Sequence, residues 1–511
     1  MTRRAETGSA QQPEIPLPSL TTALLPIIFT MGLMAFQILA FDEFVPHVPL
    51  ALGIAFTGAL GWYHGIRWWR MENGLYHVVH IGLQSVAILI TVGMIIGTWI
   101  LSGTVPLLIY YGLQLITPEL FLLAAMVLTA VVSMAVGTSW GTVGTVGLAL
   151  VGIGEGLGIP MALTGGAIVS GAFFGDKMSP LSDTTNLAPA VTGTDLFGHI
   201  RNMMATSVPA IVIAGVAYGA IGLGYAGTEL EAGRIETILN GLEAQFTLHP
   251  VLLLPAVLVM GLALARFPAL PTLFAGALAG AIMAVLVQGA DVATAVMAMQ
   301  DGFVSDTGVE SVDELLSTGG IQSMMWTISL VLIALAFGGI LEQMRSVEAI
   351  LNAIIQRVQG RLSLFAASTG SAAGVNLFSG DPYLSIALSG RMFAPVYRGQ
   401  GQSTLNLSRS VEEGGTMLNP LVPWGAGGAF TAGALGIPTL VYAPFAIVCW
   451  LSPLIGLLFA TRGWFMPAAT EAEQRRWQEN HEAIMVGRGV VNSADLDPEE
   501  LERAFDRYRR R

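Results

Sequence analysis

Apolar runs about as long as a bilayer is thick recur along this chain, and they leave few folds open to it. A helix rises 1.5 Å per residue, so about 20 apolar residues cross a hydrocarbon layer of roughly 30 Å. Spans are read at Leu20 to Phe41, Val48 to Tyr63, Leu83 to Leu101, Glu119 to Val136, Ala205 to Ala226, Val251 to Ala265, Leu270 to Gln288, Ile321 to Leu341 and Leu440 to Ala460. Between them lie apolar but interrupted stretches, Thr104 to Ile116, Thr142 to Phe174 and Leu362 to Tyr397. Only 11% of the 511 residues are charged and 53% are hydrophobic, against roughly 25% charged in soluble domains. The fold class expected is an all-α polytopic membrane protein with about 10 to 13 membrane-embedded helices, some of them short.

The N-terminal MTRRAETGSAQQPEIPLPS is too polar for a cleaved secretory signal. After its arginine pair come Ala, Glu and Thr, not the apolar run of a twin-arginine signal. Residues 1–19 therefore read as a retained polar segment. The single cysteine, Cys449, sits in AIVCWL and reads as a packing residue. A net charge of −12, concentrated in acidic loops, speaks against nucleic-acid partners. From about Pro467 the composition turns soluble; Thr470 to Glu473 and Asp497 to Glu500 each pair an N-cap oxygen with an acid placed to answer the cap's own amide. Residues 467–511 are expected to form a cytoplasmic helical tail.

Sliding the sequence against itself by 240 positions superposes Ser139 on Ser379, Ser170 on Ser410, Gly175 on Gly415, Pro180 on Pro420 and Leu181 on Leu421. The block Ile81 to Leu101 lands on Ile321 to Leu341, and Ala205 to Ala226 lands near the last apolar segment. Internal repeats of this kind belong to transporter folds. Basic residues gather in cytoplasmic loops. Here the basic side alternates: Arg67 and Arg70 map onto Thr307 and Glu310, while Arg391 and Arg398 map onto Val151 and Gly158. Two inverted-topology repeats follow, in membrane halves 20–226 and 250–466, with repeat cores near 81–226 and 321–466. Residues 227–249 read as an extracytoplasmic loop, and both termini as cytoplasmic.

Lipid cannot hydrogen-bond a freed backbone, so irregular chain at membrane depth survives only inside protein or beside a watery cavity. Two such interruptions occupy corresponding places. One comprises Gly137 to Thr142 and GDKMSPLSDTTN, Gly175 to Asn186; the other comprises Asn376 to Asp381 and VEEGGTMLNPLVPW, Val411 to Trp424. Pro180 and Pro420 remove a backbone donor and let a helix open. Freed carbonyls, with oxygens of Ser179, Ser182, Thr184, Thr185 and Asn186, are hard ligands of the kind alkali cations prefer. A new helix N-terminus could equally face an anionic group. Asp176 and Asp183 are the sharper signals, because a carboxylate at membrane depth can hold either a cation or a proton. Lys177 is placed to neutralise one of them. In the second half, Asp381 equally reads as the start of a helix, and Glu412 and Glu413 as a surface pair with Arg409.

Other residues carry less. His77 and His80 read as part of an interfacial belt with Trp68, Trp69 and Tyr76. An intramembrane enzyme using Asp176 and Asp183 as an acid/base pair is disfavoured, since no paired metal motif, Ser-His arrangement or nucleotide loop accompanies them.

GAFFGDKMSPLSDTTNLAP, Gly171 to Pro189, resembles the signature of NhaC-type sodium/proton antiporters, within the broader ion-transporter superfamily. LSRSVEEGGTMLNPLVPWGAGGAF, Leu407 to Phe430, is similar to that family's other characteristic region. The resemblance runs from about Pro18 to Gly463. It implies exchange of external protons for internal sodium in a bacterial inner membrane, supporting pH and salt homeostasis, and a scaffold joined to a transport part with re-entrant hairpins and broken helices. It implies functional roles for Asp176, Ser182, Asp183, Thr184, Thr185 and Asn186, and for Ser379, Asp381, Glu413, Thr416 and Asn419. Ser139, the partner of Ser379 in the repeat, joins the set. Sodium ligation is expected from Asp176, Asp183, Thr184 and Asn186. Family relatives also exchange organic anions such as malate and lactate, so an organic-anion or amino-acid exchanger is the alternative. The expected partners are the bilayer, sodium ions and protons, with no resident cofactor and a homodimer as the assembly to test for.

Overall fold

The computed structural model describes residues 16–41, 45–225, 232–265, 267–306 and 316–475, together with residues 313 and 477. Among the described residues the regular structure is helical, apart from one isolated bridge between Gln402 and Ala468. In chain order the first part comprises α1 (Leu20–Phe41), α2 (His47–Tyr63), α3 (Trp68–Leu101), α4 (Thr104–Leu115) and α5 (Pro118–Val136). Next comes α6 (Ser139–Thr142), running through a π turn, Val143–Gly147, into α7 (Leu148–Gly156), then α8 (Met161–Met178), α9 (Asp183–Thr192) and α10 (Leu196–Leu223). A middle part holds α11 (Ala232–Gln245), α12 (Leu254–Leu264), α13 (Ala269–Leu286) and α14 (Val292–Asp301). The second part comprises α15 (Gly320–Gln343), α16 (Ser346–Ile355), α17 (Gly360–Ser379), α18 (Pro382–Gly399), α19 (Thr404–Glu412) with a π turn Glu413–Met417, α20 (Ala426–Leu435), α21 (Thr439–Tyr442) and α22 (Ile447–Arg462).

Among the described residues six helices are long and apolar enough to cross a membrane, and two bent pairs add broken spans. One bent pair lies at α11–α12, with a bend of 94°, and the other at α19–α20 and the turn after it, with a bend of 93°. Their outer faces carry large exposed apolar side chains such as Phe36, Val131, Val216 and Leu286, as lipid-facing surface should. The protein is a multi-pass membrane protein.

The order of elements repeats. Helix starts pair Thr104 with Ser346, Pro118 with Gly360, Ser139 with Pro382, Met161 with Thr404, Asp183 with Ala426 and Leu196 with Thr439, each 242 or 243 positions apart. The two sets embrace reciprocally. α9 packs on α18 of the other set while α20 packs on α6, α7 and their π turn; α10 meets α19 while α22 meets α8. The counterpart helices α3 and α15 run antiparallel: Gly74 lies against Gln343 and Gly339, whereas Gly93 lies against Gly320 and Met324.

Several readings are sharpened or corrected. Residues 227–249, read as a loop, contain α11. His77 and His80 belong to α3, a continuous helix of 34 residues whose apolar span begins at Gly82. Thr470 does cap a helical turn, accepting the Glu473 amide at 3.2 Å. The Glu473 carboxylate does not return the bond, however. Its Oε1 accepts from the Thr404 amide at 2.9 Å and from the hydroxyls of Ser403 and Thr404, both at 3.0 Å, so it closes the start of α19. Ala468 bridges Gln402, and Asn406 Nδ2 donates to the Pro467 carbonyl at 2.8 Å. The second helix start at Asp497 to Glu500, and residues 1–15, lie outside the described residues.

Candidate functional site

α8 is pressed onto α5, and glycine makes the approach possible. A Cβ on Gly175 would lie 2.3 Å from the Ala130 carbonyl oxygen, closer than any real contact. Ser133 Oγ, one turn on, donates to the Ala172 carbonyl at 2.6 Å. This fixes the last turn of α8, so that consecutive residues Asp176 and Lys177 are carried to different surroundings. The helix then stops: Ser179 is extended, Pro180 can donate no amide, and Ser182 restarts the chain as the N-cap of α9 by accepting the Thr185 amide.

Asp176 faces a cavity of about 330 Å³ that also borders Ser139, Ser182, Asp183, Thr184, Thr416 and Asn419. Seven of the twelve candidate residues thus meet around one space, from both halves of the chain. Ser139 Oγ donates to Asp176 Oδ2 at 2.6 Å, joining α6 to α8. Asp176 is 8% exposed, whereas Asp183 is open. Trp140, Phe173 and Tyr383 supply aromatic wall, and Val259, Ala263 and Leu273 supply an apolar side. Trp140 is stacked on Phe430 with centroids 4.6 Å apart, which ties α6 to α20.

The remaining five do not border that cavity. Thr185 Oγ1 donates to the carbonyls of Asp176 and Lys177, at 3.3 and 3.2 Å, satisfying the end of α8. Asn186 Nδ2 donates to the Pro180 and Ser182 carbonyls, at 2.9 and 2.7 Å, and braces the break. Both donor bonds of its amide nitrogen thus go to backbone. Ser379 Oγ donates to the Val375 carbonyl at 2.7 Å, and Asp381 caps α18 by accepting the Leu384 amide at 2.7 Å. For Asp381, the helix-start reading describes the geometry.

Glu413 is buried, and so is Glu412; neither forms a surface pair with Arg409. Arg409 is buried too, donating to the Asn202 carbonyl and Oδ1 at 3.2 and 3.1 Å. Glu413 instead holds Lys177: Nζ to Oε1 is 2.6 Å, with both side chains fully buried. Lysine therefore neutralises an acid of the other half and not an aspartate of its own break. Thr206 and Ser452 donate to the same oxygen at 2.6 and 3.0 Å, and Lys177 donates to Ser452 at 3.1 Å. Glu412 Oε1 accepts from Thr416 Oγ1 at 2.7 Å, and Thr416 borders the cavity. Among the described residues, Glu412 Oε2 and Glu413 Oε2 are buried without a hydrogen-bond partner.

Thr206 and Ser452 were not singled out from the sequence, and Lys177, Glu412 and Asn376 were named there with other partners or none. One signal was present: a lysine inside apolar chain requires a buried acid. Asn376 couples the second break to α17, accepting from Asn419 Nδ2 and donating to the Gly415 carbonyl, both at 2.8 Å.

Residues 171–464, which hold the breaks at Gly175 to Asn186 and Val411 to Trp424 and the lysine–glutamate pair, match the Na+/H+ antiporter family. The chain belongs to this family. It is 43% identical to the Na(+)/H(+) antiporter NhaC of Alkalihalophilus pseudofirmus, over 82% of this chain and 90% of that one. It is 39% identical to the arginine/ornithine antiporter ArcD of Halobacterium salinarum, over 88% of this chain and 93% of the relative. It is 37% identical to the malate-2H(+)/Na(+)-lactate antiporter of Bacillus subtilis, over 87% and 95%. Antiporters carrying different solutes thus resemble this family member over most of their length.

Proposed function

We propose that this antiporter-family protein exchanges sodium ions for protons, exporting sodium across a bacterial inner membrane in support of pH and salt homeostasis. The observation that carries the reading is Asp176: a buried carboxylate at a helix break, held by Ser139, facing a cavity with the hydroxyls of Ser182, Thr184 and Thr416. Hydroxyl and carboxylate oxygens are the ligands a small hard cation takes, and one carboxylate cannot hold a sodium ion and a proton at full strength together. Competition for Asp176 is therefore exchange. Asp183 stands at the open side of the same cavity and attracts the incoming cation. Thr185 and Asn186 act as braces.

The antiparallel run of α3 against α15 and the reciprocal packing of the halves support repeats inserted with opposite orientation. The placement of basic residues supports cytoplasmic termini. In such folds the site lies where two broken segments meet, and rocking of one half opens it to either side.

The test is transport by purified protein in liposomes. A pH gradient alone, with no organic solute present, should drive sodium out. Asp176→Asn should abolish the flux, and Asp183→Asn should raise the sodium concentration needed for half-maximal flux. Sodium movement that begins only when malate, lactate or arginine is added would sink the reading.

A further inference from the structure

The cavity is larger than sodium requires. At about 330 Å³ it has room for about ten water-sized groups and falls at the lower end of small-molecule sites. Its lining is one-sided in charge. Asp176 and Asp183 border it, Glu412 is reached through Thr416, and among the described residues no lysine, arginine or histidine borders it. The nearest lysine in sequence, Lys177, is turned away and spent on Glu413.

Three helix starts meet this cavity, those of α6, α9 and α18, and a helix start can attract an anion. Each is already answered by its own side chain. Thr138 accepts the Gly141 amide, Ser182 the Thr185 amide and Asp381 the Leu384 amide, and Asp183 places a carboxylate in the first turn of α9. A solute carboxylate would meet acids and capped helix ends. A solute cation would meet acids, hydroxyls and the aromatic side chains of Trp140 and Tyr383, with apolar wall from Val259, Ala263 and Leu273 for a short hydrocarbon chain.

We propose that the cavity also admits a small organic cation, a primary alkylammonium lacking a carboxylate, which competes with sodium for Asp176. The inference rests on the sodium-binding reading of the same site and adds a class of solute to it. The ammonium donates to Asp176 and to the hydroxyl oxygens of Ser182 or Thr184, while its alkyl chain lies on the apolar side. A carboxylate-bearing solute of the same size is disfavoured by the acids.

The experiment is isothermal titration of purified full-length protein at neutral pH, where a primary amine carries its charge. Sodium is titrated with and without propylammonium chloride, and propylammonium is titrated alone. The control is propionate supplied as its bulky N-methylglucamine salt. The expected result is competition: with the amine at ten times its own Kd, the apparent sodium Kd rises about tenfold, and propionate leaves it unchanged. Asp176→Asn loses the heat of both cations. A sodium isotherm untouched by propylammonium overturns the proposal and leaves sodium exchange standing. Propylammonium binding without sodium binding supports the cavity assignment and defeats sodium exchange. Displacement of sodium by propionate overturns the proposal, because the cavity would then be reading the anion.

Discussion

Lys177 and Glu413 are adjacent in sequence to Asp176 and Glu412, and the helix separates what the chain joins. Asp176 borders the cavity, whereas Lys177 is buried against an acid of the other half. Taking two charges out of water costs several kcal/mol each, and the cost is offset only if both partners stay in place. Lys177→Met alone should therefore destabilise the protein by about 3–5 kcal/mol, read as a lower unfolding temperature in detergent. Lys177→Met with Glu413→Gln should recover much of that loss, since no lone charge then stays buried. Equal stability of the single and double variants would show that the pair does not act as a pair. At this scale the sequence was partly legible. Residue types at the breaks were enough to nominate Asp176, Ser182 and Thr184. Glu413's partner was not, because Lys177 lies more than two hundred positions away and Asp176 and Asp183 stand much nearer to it in sequence.

A helix break needs support on both sides. Gly175 lets α8 touch α5, Thr185 and Asn186 tie the freed carbonyls, and Asn376 ties the second break to α17. Gly175→Val would drive a branched side chain into the Ala130 carbonyl and force α8 off α5. The expected outcome is loss of sodium binding in a protein that still inserts, with a lowered unfolding temperature. Binding at the native level would show that the α5–α8 contact does not position Asp176. Most span limits were readable from hydropathy, with α1 and α5 within a residue or so. Helices α11 and α14 were not, because α11 is polar in composition and α14, though mostly apolar, is only ten residues long. The capping role of Asp381 was readable only as one of two choices, since an aspartate before a proline suits a helix start and a buried site alike.

The molecule as a whole is two similar sets of helices interlocked. The 240-position shift found the repeat because blocks of apolar residues kept their boundaries. Helix starts are 242 or 243 positions apart, so the shift paired Ser139 with Ser379 where the helices pair it with Pro382. The proposed opposite orientation of the sets has a direct consequence for access. Gly224 follows α10 and Trp464 follows its counterpart α22, and both are exposed. Gly224→Cys and Trp464→Cys, made separately, should react with a membrane-impermeant maleimide from opposite sides of the membrane. Cys449 is fully buried and should stay silent. Labelling of both from one side would place the repeats in the same orientation.

The bridge from Ala468 to Gln402 and the Glu473 carboxylate on Thr404 make the chain beyond the last span part of α19. That helix runs into the buried acids Glu412 and Glu413, so the tail is a handle fastened to the start of the helix that carries them. Trimming the protein after Gly463 to ease purification would release the handle, and so would a protease acting on the tail. The expected outcome is reduced sodium flux in liposomes although every residue bordering the cavity is unchanged.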